Sequence, residues 1–323
     1  MQAQSPCNLL QWIMGRAAIL LFAALSLSAQ APYRVAFLGT SITCGAGATE
    51  RFLPRVVAGL EERLSRRVQT YDLCFGGAHS LTTLLLLKHT ALPWRPDLVI
   101  VETGALDGFA PTLSSPAIEQ IFHTLATARV PAVFLARTAR CSEENTRPDI
   151  LRFGKAYGIP VADIPAQAMP DNCHPTNAGH AQIAAALLAA IPSARPPAPT
   201  RPPTLAAAQF RSAARARLAG PATEVAPVFF KDLGAGLEAP AGAVEWRFQF
   251  EGTLAAVLFR LGHTPTAMQV RIDAQPWRTV EIQPAWFLNY YLETGLPPGP
   301  HQLTLRLQSG AAPVILDGLE QLQ

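Results

Sequence analysis

The chain has 323 residues, enough for two domains of ordinary size. Hydrophobic residues make up 49% and charged residues 15%, a balance that supplies apolar cores and excludes a mostly disordered chain. The formal net charge of +3 comes from 26 basic and 23 acidic residues with no basic stripe, which sets aside nucleic acid as a partner.

Arg16 precedes an apolar stretch, Ala17 to Leu27, and small residues follow through Ala31. This is the pattern of a secretory signal peptide over residues 1–31. The stretch falls short of the roughly 20 apolar residues that span a bilayer. Ala29-Gln30-Ala31 has the form of a cleavage site, Pro32 disfavours a cut directly after it, and a cut one or two residues earlier fits equally. An uncleaved N-terminal anchor is the alternative. The expectation is a periplasmic or secreted protein with no stable membrane span after processing. Cys7 lies in the part removed. Cys44, Cys74, Cys141 and Cys173 remain, an even number that permits two disulfides in an oxidising compartment without fixing their pairing. Four buried free thiols are the alternative, and the spacings do not match a zinc site.

From Tyr33 onward, short apolar runs alternate with longer amphipathic ones. The pattern predicts strands at Arg34–Gly39, Val68–Phe75, Asp97–Glu102, Pro131–Ala136 and Ile159–Ile164. Between and after them it predicts helices at Arg51–Arg67, Leu81–Thr90, Pro116–Arg129, Pro148–Tyr157 and Asn177–Ala190. Asp97–Glu102 is a continuous apolar run, as a strand buried on both faces requires. Such an alternation calls for an α/β fold with a parallel five-stranded sheet covered on both sides.

Composition then changes. Residues 192–203 are proline-rich and read as a stiff spacer, and a short basic helix is predicted at Leu205–Leu218. From Glu224 onward, short alternating runs predict strands at Val244–Phe250, Leu254–Leu261, Met268–Ile272, Thr279–Ile282, Trp286–Leu292, Gln302–Leu307 and Val314–Leu316, separated by turn signals. That layout suggests a smaller all-β sandwich. The expected organisation is a signal peptide over 1–31, a catalytic domain over 32–191, a linker with a short helix over 192–223 and a β-sandwich over 224–323.

Two stretches carry the chemistry. Gly39-Thr40-Ser41-Ile42-Thr43 follows the first strand, and Asp171-Asn172-Cys173-His174-Pro175 precedes the last helix. Loops at the carboxyl ends of parallel strands converge on one crevice, so Ser41 and His174 can meet although they are far apart in sequence. An aspartate three residues before the histidine can hydrogen-bond its Nδ1, which completes a Ser-His-Asp arrangement. The serine hydroxyl is a poor nucleophile until a base lies within reach. Taken singly, Ser41 reads as a helix cap and His174 as an exposed loop histidine with Asp171 as its partner. Their joint placement after strands and before helices favours the triad. His180 reads as a packing or surface residue, and His79, His89 and His123 are left unassigned.

On these residues the chain resembles the SGNH or GDSL-type hydrolases, and the resemblance covers about residues 33–191. The family's first block, Gly-Asp-Ser-x-Thr, is matched by Gly39 to Thr43 with Thr40 in place of the aspartate. Its last block, Asp-x-x-His-Pro, is matched by Asp171, His174 and Pro175, continued by Asn177-Ala178-Gly179-His180. Gly77 stands at the glycine of the second block. Residues 101–108 occupy the place of the third, Gly-x-Asn-Asp, where Leu106 replaces the asparagine and Asp107 lies one residue on, without an assigned catalytic role.

The resemblance implies a flavodoxin-like three-layer fold and a serine esterase that needs no metal or organic cofactor. It also implies an oxyanion hole formed by the amides of Ser41 and Gly77. Leu106 cannot donate a hydrogen bond, so those two amides must suffice or a neighbour such as His79 or Ser80 must stand in; otherwise activity is weak. Losing one such donor typically costs about 10²–10³ in turnover. In this fold Cys141 and Cys173 both fall on the active-site side of the sheet, so a Cys141–Cys173 disulfide can brace the catalytic turn. Cys44 and Cys74, after the first two strands, are also candidates.

Trp277, Trp286, Phe287, Tyr290 and Tyr291 can stack on sugar rings or fill the sandwich core, and their alternation favours the core. The layout also looks like the accessory β-domains that follow exported SGNH catalytic domains. The expected partner is a small-molecule or carbohydrate ester substrate, with O-acetyl groups on a carbohydrate favoured by analogy. The alternatives are a lipase-like or arylesterase activity on small esters, a polysaccharide O-acetyltransferase, and a catalytically weak glycan-binding protein on a hydrolase scaffold. The sequence assigns no substrate-binding residue and no oligomeric state.

Overall fold

The computed structural model describes residues 31–105, 107, 111–137, 145–164, 171, 173–197, 208–212, 217–219, 223–225, 236–239, 245–261, 266–282, 289–294, 296–307 and 314–322. The signal peptide expectation, Cys7, Leu106, Cys141 and the second half of the proline-rich stretch lie outside them. Among the described residues, no helix is long and apolar enough to cross a membrane.

The first half is a parallel sheet of five strands: β1 (Tyr33–Gly39), β2 (Val68–Cys74), β3 (Leu98–Glu102), β4 (Ala132–Arg137) and β5 (Val161–Ile164). Their order is β2-β1-β3-β4-β5, the flavodoxin-like winding whose crevice lies at the carboxyl ends of the neighbouring strands β1 and β3, where the strand order reverses. The helices are α1 (Ser41–Cys44), α2 (Phe52–Leu64), α3 (Ser80–Leu86, extended by a π turn over Leu87–Ala91), α4 (Pro111–Ala128), α5 (Arg147–Tyr157) and α6 (Asn177–Ala190).

Alternation along the buried strands sends side chains to two cores. Val35, Phe37, Leu98, Ile100, Val133 and Leu135 pack with Phe52, Val56 and Leu60 of α2 and Ile183 and Leu187 of α6. Ala36, Leu38, Val99, Val101, Phe134 and Ala136 pack with α3, α4 and α5 through Leu84, Ile118, Phe122 and Phe153. Both faces are covered, which is why these strands read as unbroken apolar runs.

The predicted elements of this half are present within a few residues of their expected ends. α4 begins at Pro111 and runs through Pro116, where the periodicity had placed its start. A proline at the first helical position lacks only an N–H that has no helical acceptor, whereas Pro116 removes one internal bond that the flanking turns bridge.

The second half consists of antiparallel strands in two sheets. One is ordered β13 (Arg278–Ile282), β12 (Thr266–Ile272), β15 (Pro300–Leu307), β10 (Glu245–Glu251) and β7 (Arg217–Ala219). The other is ordered β14 (Asn289–Thr294), β11 (Leu254–Leu261), β16 (Val314–Leu322), β9 (Gly236–Ala239) and β8 (Thr223–Val225), with β6 (Ala208–Ser212) also pairing with β16. Trp246, Phe248, Phe250, Met268, Val270, Ile272, Leu303 and Leu305 are buried, while Arg247, Gln249 and Glu251 between them are exposed, the alternation of a sheet with one face on a core.

The helix expected over Leu205–Leu218 is not found among the described residues there: Ala208–Ser212 is β6 and Arg217–Ala219 is β7, paired with β16 and β10. The segment's alanines and arginines favour a helix locally, and ladder hydrogen bonds to distant strands override that preference. The β-region therefore takes in strands from Ala208 onward, inside the stretch read as linker.

Candidate active site

Ser41 opens α1 directly after β1. Thr40 is the N-cap, and its hydroxyl oxygen accepts from the Ile42 N–H at 3.3 Å. The helix is one turn long and stops at Gly45, whose φ of +87° suits glycine. The Ser41 hydroxyl thus sits at a fixed point above the carboxyl end of β1.

His174 and Asp171 lie on the turn between β5 and α6. The Ser41 Oγ is 2.9 Å from His174 Nε2, and His174 Nδ1 is 2.6 Å from Asp171 Oδ2. A carboxylate only accepts, so Nδ1 carries the proton and Nε2 is left to accept from the serine. Asp171 Oδ1 also accepts the backbone N–H groups of His174 at 2.7 Å and Cys173 at 3.0 Å. The His174 and Cys173 donors hold the Asp171 carboxyl well below the usual carboxylate range. The spacing of three residues lets one side chain orient both the backbone and the ring of its partner.

The loop after α1 supports this histidine from the other side. Gly47 has a φ of +82°, and a Cβ placed there would lie 2.8 Å from His174 Cβ. Asn177, at the start of α6, accepts from the Thr49 and Glu50 N–H groups and donates to the Thr49 hydroxyl. An open groove of about 500 Å³ runs along this loop past Cys44, Thr49, Arg51 and Arg55.

Gly77 lies in the turn after β2, with φ at +83°. The Phe75 N–H donates to the Gly39 carbonyl at 2.8 Å, so this turn is fixed against the end of β1 that carries Ser41. The Ser41 and Gly77 amides thus lie on neighbouring turns at the carboxyl ends of β1 and β2. Ser80 cannot serve as a substitute donor. Its hydroxyl donates to Asp107 at 2.5 Å, and its N–H does so at 2.8 Å. Asp107 is therefore an anchor for the start of α3, also accepting from Ser114, and burial pushes its carboxyl up. His79 caps α3 by accepting from the Thr82 N–H, and burial pushes its imidazole down to about 4, so it is neutral at physiological pH.

His180, expected as a packing or surface residue, is buried, accepts from the Phe52 N–H and stacks on the Phe52 ring, a packing role. Cys44 and Cys74 form a disulfide with Cα atoms 5.3 Å apart, tying the end of α1 to the end of β2. Cys173 is also disulfide-bonded.

Two further residues outside the sequence motifs converge on the site. Glu102 ends β3 and Arg137 ends β4, both buried. Glu102 accepts from Thr40 and Thr43 on either side of Ser41, and Arg137 donates to the Cys173 carbonyl. Their signal in the sequence is a charged residue closing an apolar strand at the end where the crevice opens.

Trp277 in the β-region is half-buried, with the guanidinium groups of Arg271 and Arg306 at 4.5 and 4.1 Å from its ring. Trp286 and Phe287 lie outside the described residues.

With this geometry in place, the likenesses to known proteins fall on the same segments. The family described as GDSL-like Lipase/Acylhydrolase matches residues 37–182. Two solved structures of a two-domain esterase (CEX) active on acetylated mannans share the whole architecture. The one co-crystallised with mannopentaose has a TM-score of 0.71 at 18% identity, covering 94% of each chain. The other has a TM-score of 0.68 at 18% identity, covering 94% of this chain and 95% of that one. No curated protein matches the sequence.

Proposed function

We propose that the chain is a carboxylic ester hydrolase, an exported serine esterase removing O-acetyl groups from a carbohydrate, on the strength of the match of residues 37–182 to the GDSL-like lipase/acylhydrolase family. Ser41 is the nucleophile, His174 the general base and Asp171 the group that orients the imidazole. The observation that carries this reading is the unbroken chain from Ser41 Oγ through both ring nitrogens of His174 to Asp171.

In the first half-reaction Ser41 Oγ attacks the ester carbonyl carbon while its proton passes to His174 Nε2. Asp171 stabilises the imidazolium that results. The carbonyl oxygen becomes an oxyanion facing the Ser41 and Gly77 amides. As the carbon–oxygen bond to the sugar breaks, His174 returns the proton to the leaving alcohol, and an acyl-serine remains. Water then repeats the sequence, losing a proton to His174 and releasing the acid and free Ser41.

The first 31 residues and the Cys44–Cys74 bridge support export, since disulfides persist in oxidising compartments. We propose Cys141 as the partner of Cys173, which would pin the turn that carries His174. An O-acetyl carbohydrate ester is favoured by the full-length likeness to an esterase active on acetylated mannans, an analogy of fold. The test is acetate release from acetylated mannan by the purified protein, with p-nitrophenyl esters of longer acyl chains in parallel. Release of acetate from the polymer, absent in Ser41→Ala, is the expected result. Hydrolysis confined to long-chain esters would overturn the substrate assignment.

A further inference from the structure

The strongest unassigned feature is the buried pair beneath the site. Glu102 is 1% exposed, yet one of its carboxylate oxygens accepts three hydrogen bonds. They come from the Thr40 N–H and the Thr40 hydroxyl, both at 2.8 Å, and from the Thr43 hydroxyl at 3.0 Å. Thr40 and Thr43 flank Ser41, so this oxygen grips the nucleophile turn on both sides. The approach is close enough to demand glycine at position 39, where a Cβ would lie 1.9 Å from Thr43 Oγ1 and 3.0 Å from Glu102 Oε2.

The other carboxylate oxygen faces Arg137 on the neighbouring strand, with Nε at 3.9 Å and both side chains almost fully buried. Burial pushes the Arg137 guanidinium down, and the Glu102 charge opposes that shift. Arg137 Nη1 in turn donates to the Cys173 carbonyl at 3.3 Å, one peptide before His174. Two halves of the site that are far apart in sequence, the turn bearing Ser41 and the turn bearing His174, are thus joined through one ion pair under the sheet's carboxyl edge.

We propose that Glu102 and Arg137 are positioning residues, which set the distance and direction between the Ser41 hydroxyl and the His174 imidazole. The inference rests on the triad reading above. A buried ion pair is a poor source of net stability, because desolvation offsets its attraction. Geometry is different: misplacing reacting groups by about 1 Å can lower a rate by about 10²-fold. Both side chains are almost fully buried, so the effect falls on turnover and not on binding.

The experiment compares Glu102→Gln, Arg137→Met, Arg137→Lys and Thr43→Val in the full chain. It measures kcat and KM on p-nitrophenyl acetate, the folded fraction by circular dichroism and the rate of Ser41 labelling by a fluorophosphonate. The proposal predicts folded Glu102→Gln and Arg137→Met proteins with kcat down about 10- to 100-fold and KM within about twofold. Labelling slows in proportion to kcat, and Arg137→Lys recovers part of both rates. Thr43→Val, which removes one of three donors and keeps the side-chain shape, lowers kcat less and remains informative if the charge variants fail to fold. Variants that are less stable yet keep wild-type kcat and labelling rates, with Ser41→Ala inactive, overturn the positioning role and leave the triad intact. A fully active Ser41→Ala overturns the triad itself.

Discussion

In the proposed site the short α1 presents the Ser41 hydroxyl to His174 Nε2, and Asp171 fixes the tautomer of that ring from its other nitrogen. Groups that act as one unit are not additive. Ser41→Ala and His174→Ala should therefore each lower kcat by at least about 10³-fold, and the double variant should be no worse than either. A further large drop in the double variant would mean that the two act independently. Asp171→Asn should lower kcat by about 10²–10⁴-fold, since the amide can hold the ring in the wrong tautomer. The Asp171–His174 relation was legible in the sequence because both sit on one turn, three residues apart, and Ser41 was legible from its place after a strand. Glu102 and Arg137 were not, because each touches residues far away in the chain and carries no local spacing. Ser80 was considered as an oxyanion donor from its position alone, and its commitment to Asp107 becomes visible only when α3 and α4 meet.

Among the elements, the parallel sheet was readable because its central strands β1, β3 and β4 are buried apolar runs and helices of clear period separate the strands. The segment Leu205–Leu218 was misread because its helical propensity is a local property, whereas its β pairing is set by β10 and β16, both far along the chain. The turn elements also carry the covalent brace. Cys44–Cys74 closes a loop with a sequence separation of 30, for which loop entropy gives a stabilisation of about 3–4 kcal/mol. Cys44→Ala/Cys74→Ala should lower unfolding free energy by about that amount in denaturant titrations. A change near zero would show that the β1–β2 contacts alone fix the nucleophile turn. In the β-region, His301 donates from both ring nitrogens, to Asp273 at 2.7 Å and to the Pro297 carbonyl at 2.7 Å. The Asp273 and Pro297 acceptors push the imidazole up. Asp273 is pushed down: burial opposes the shift, but the Gln302 N–H and His301 outweigh it.

At the scale of the whole molecule these shifts give opposite responses to acid. A raised histidine contributes stability that is complete below its unfolded value of about 6.5 and lost as pH rises through its folded value. A lowered aspartate contributes stability that is complete above about 4 and lost as pH falls further. The His301–Asp273 pair therefore favours the β-region most between about pH 4 and 6.5. His79, held near 4 by burial, acts on the catalytic half in the other sense: its contribution is complete above about 6.5 and declines as pH falls toward 4. Calorimetry from pH 8 to 4.5 should show the catalytic transition moving down relative to that of the β-region, and His301→Gln should flatten the latter's rise. Parallel movement in both proteins would contradict this assignment. Two antiparallel sheets behind an α/β hydrolase unit were expected from the change in composition after residue 191, and the full-length likeness to a two-domain esterase extends across both halves.

The role of Ser41 as esterase nucleophile is tested by p-nitrophenyl acetate hydrolysis by the purified protein beside Ser41→Ala. The geometry predicts clear turnover in the wild-type protein and a loss of at least about 10³-fold in the variant. Equal rates in the two proteins would show that Ser41 is not the nucleophile.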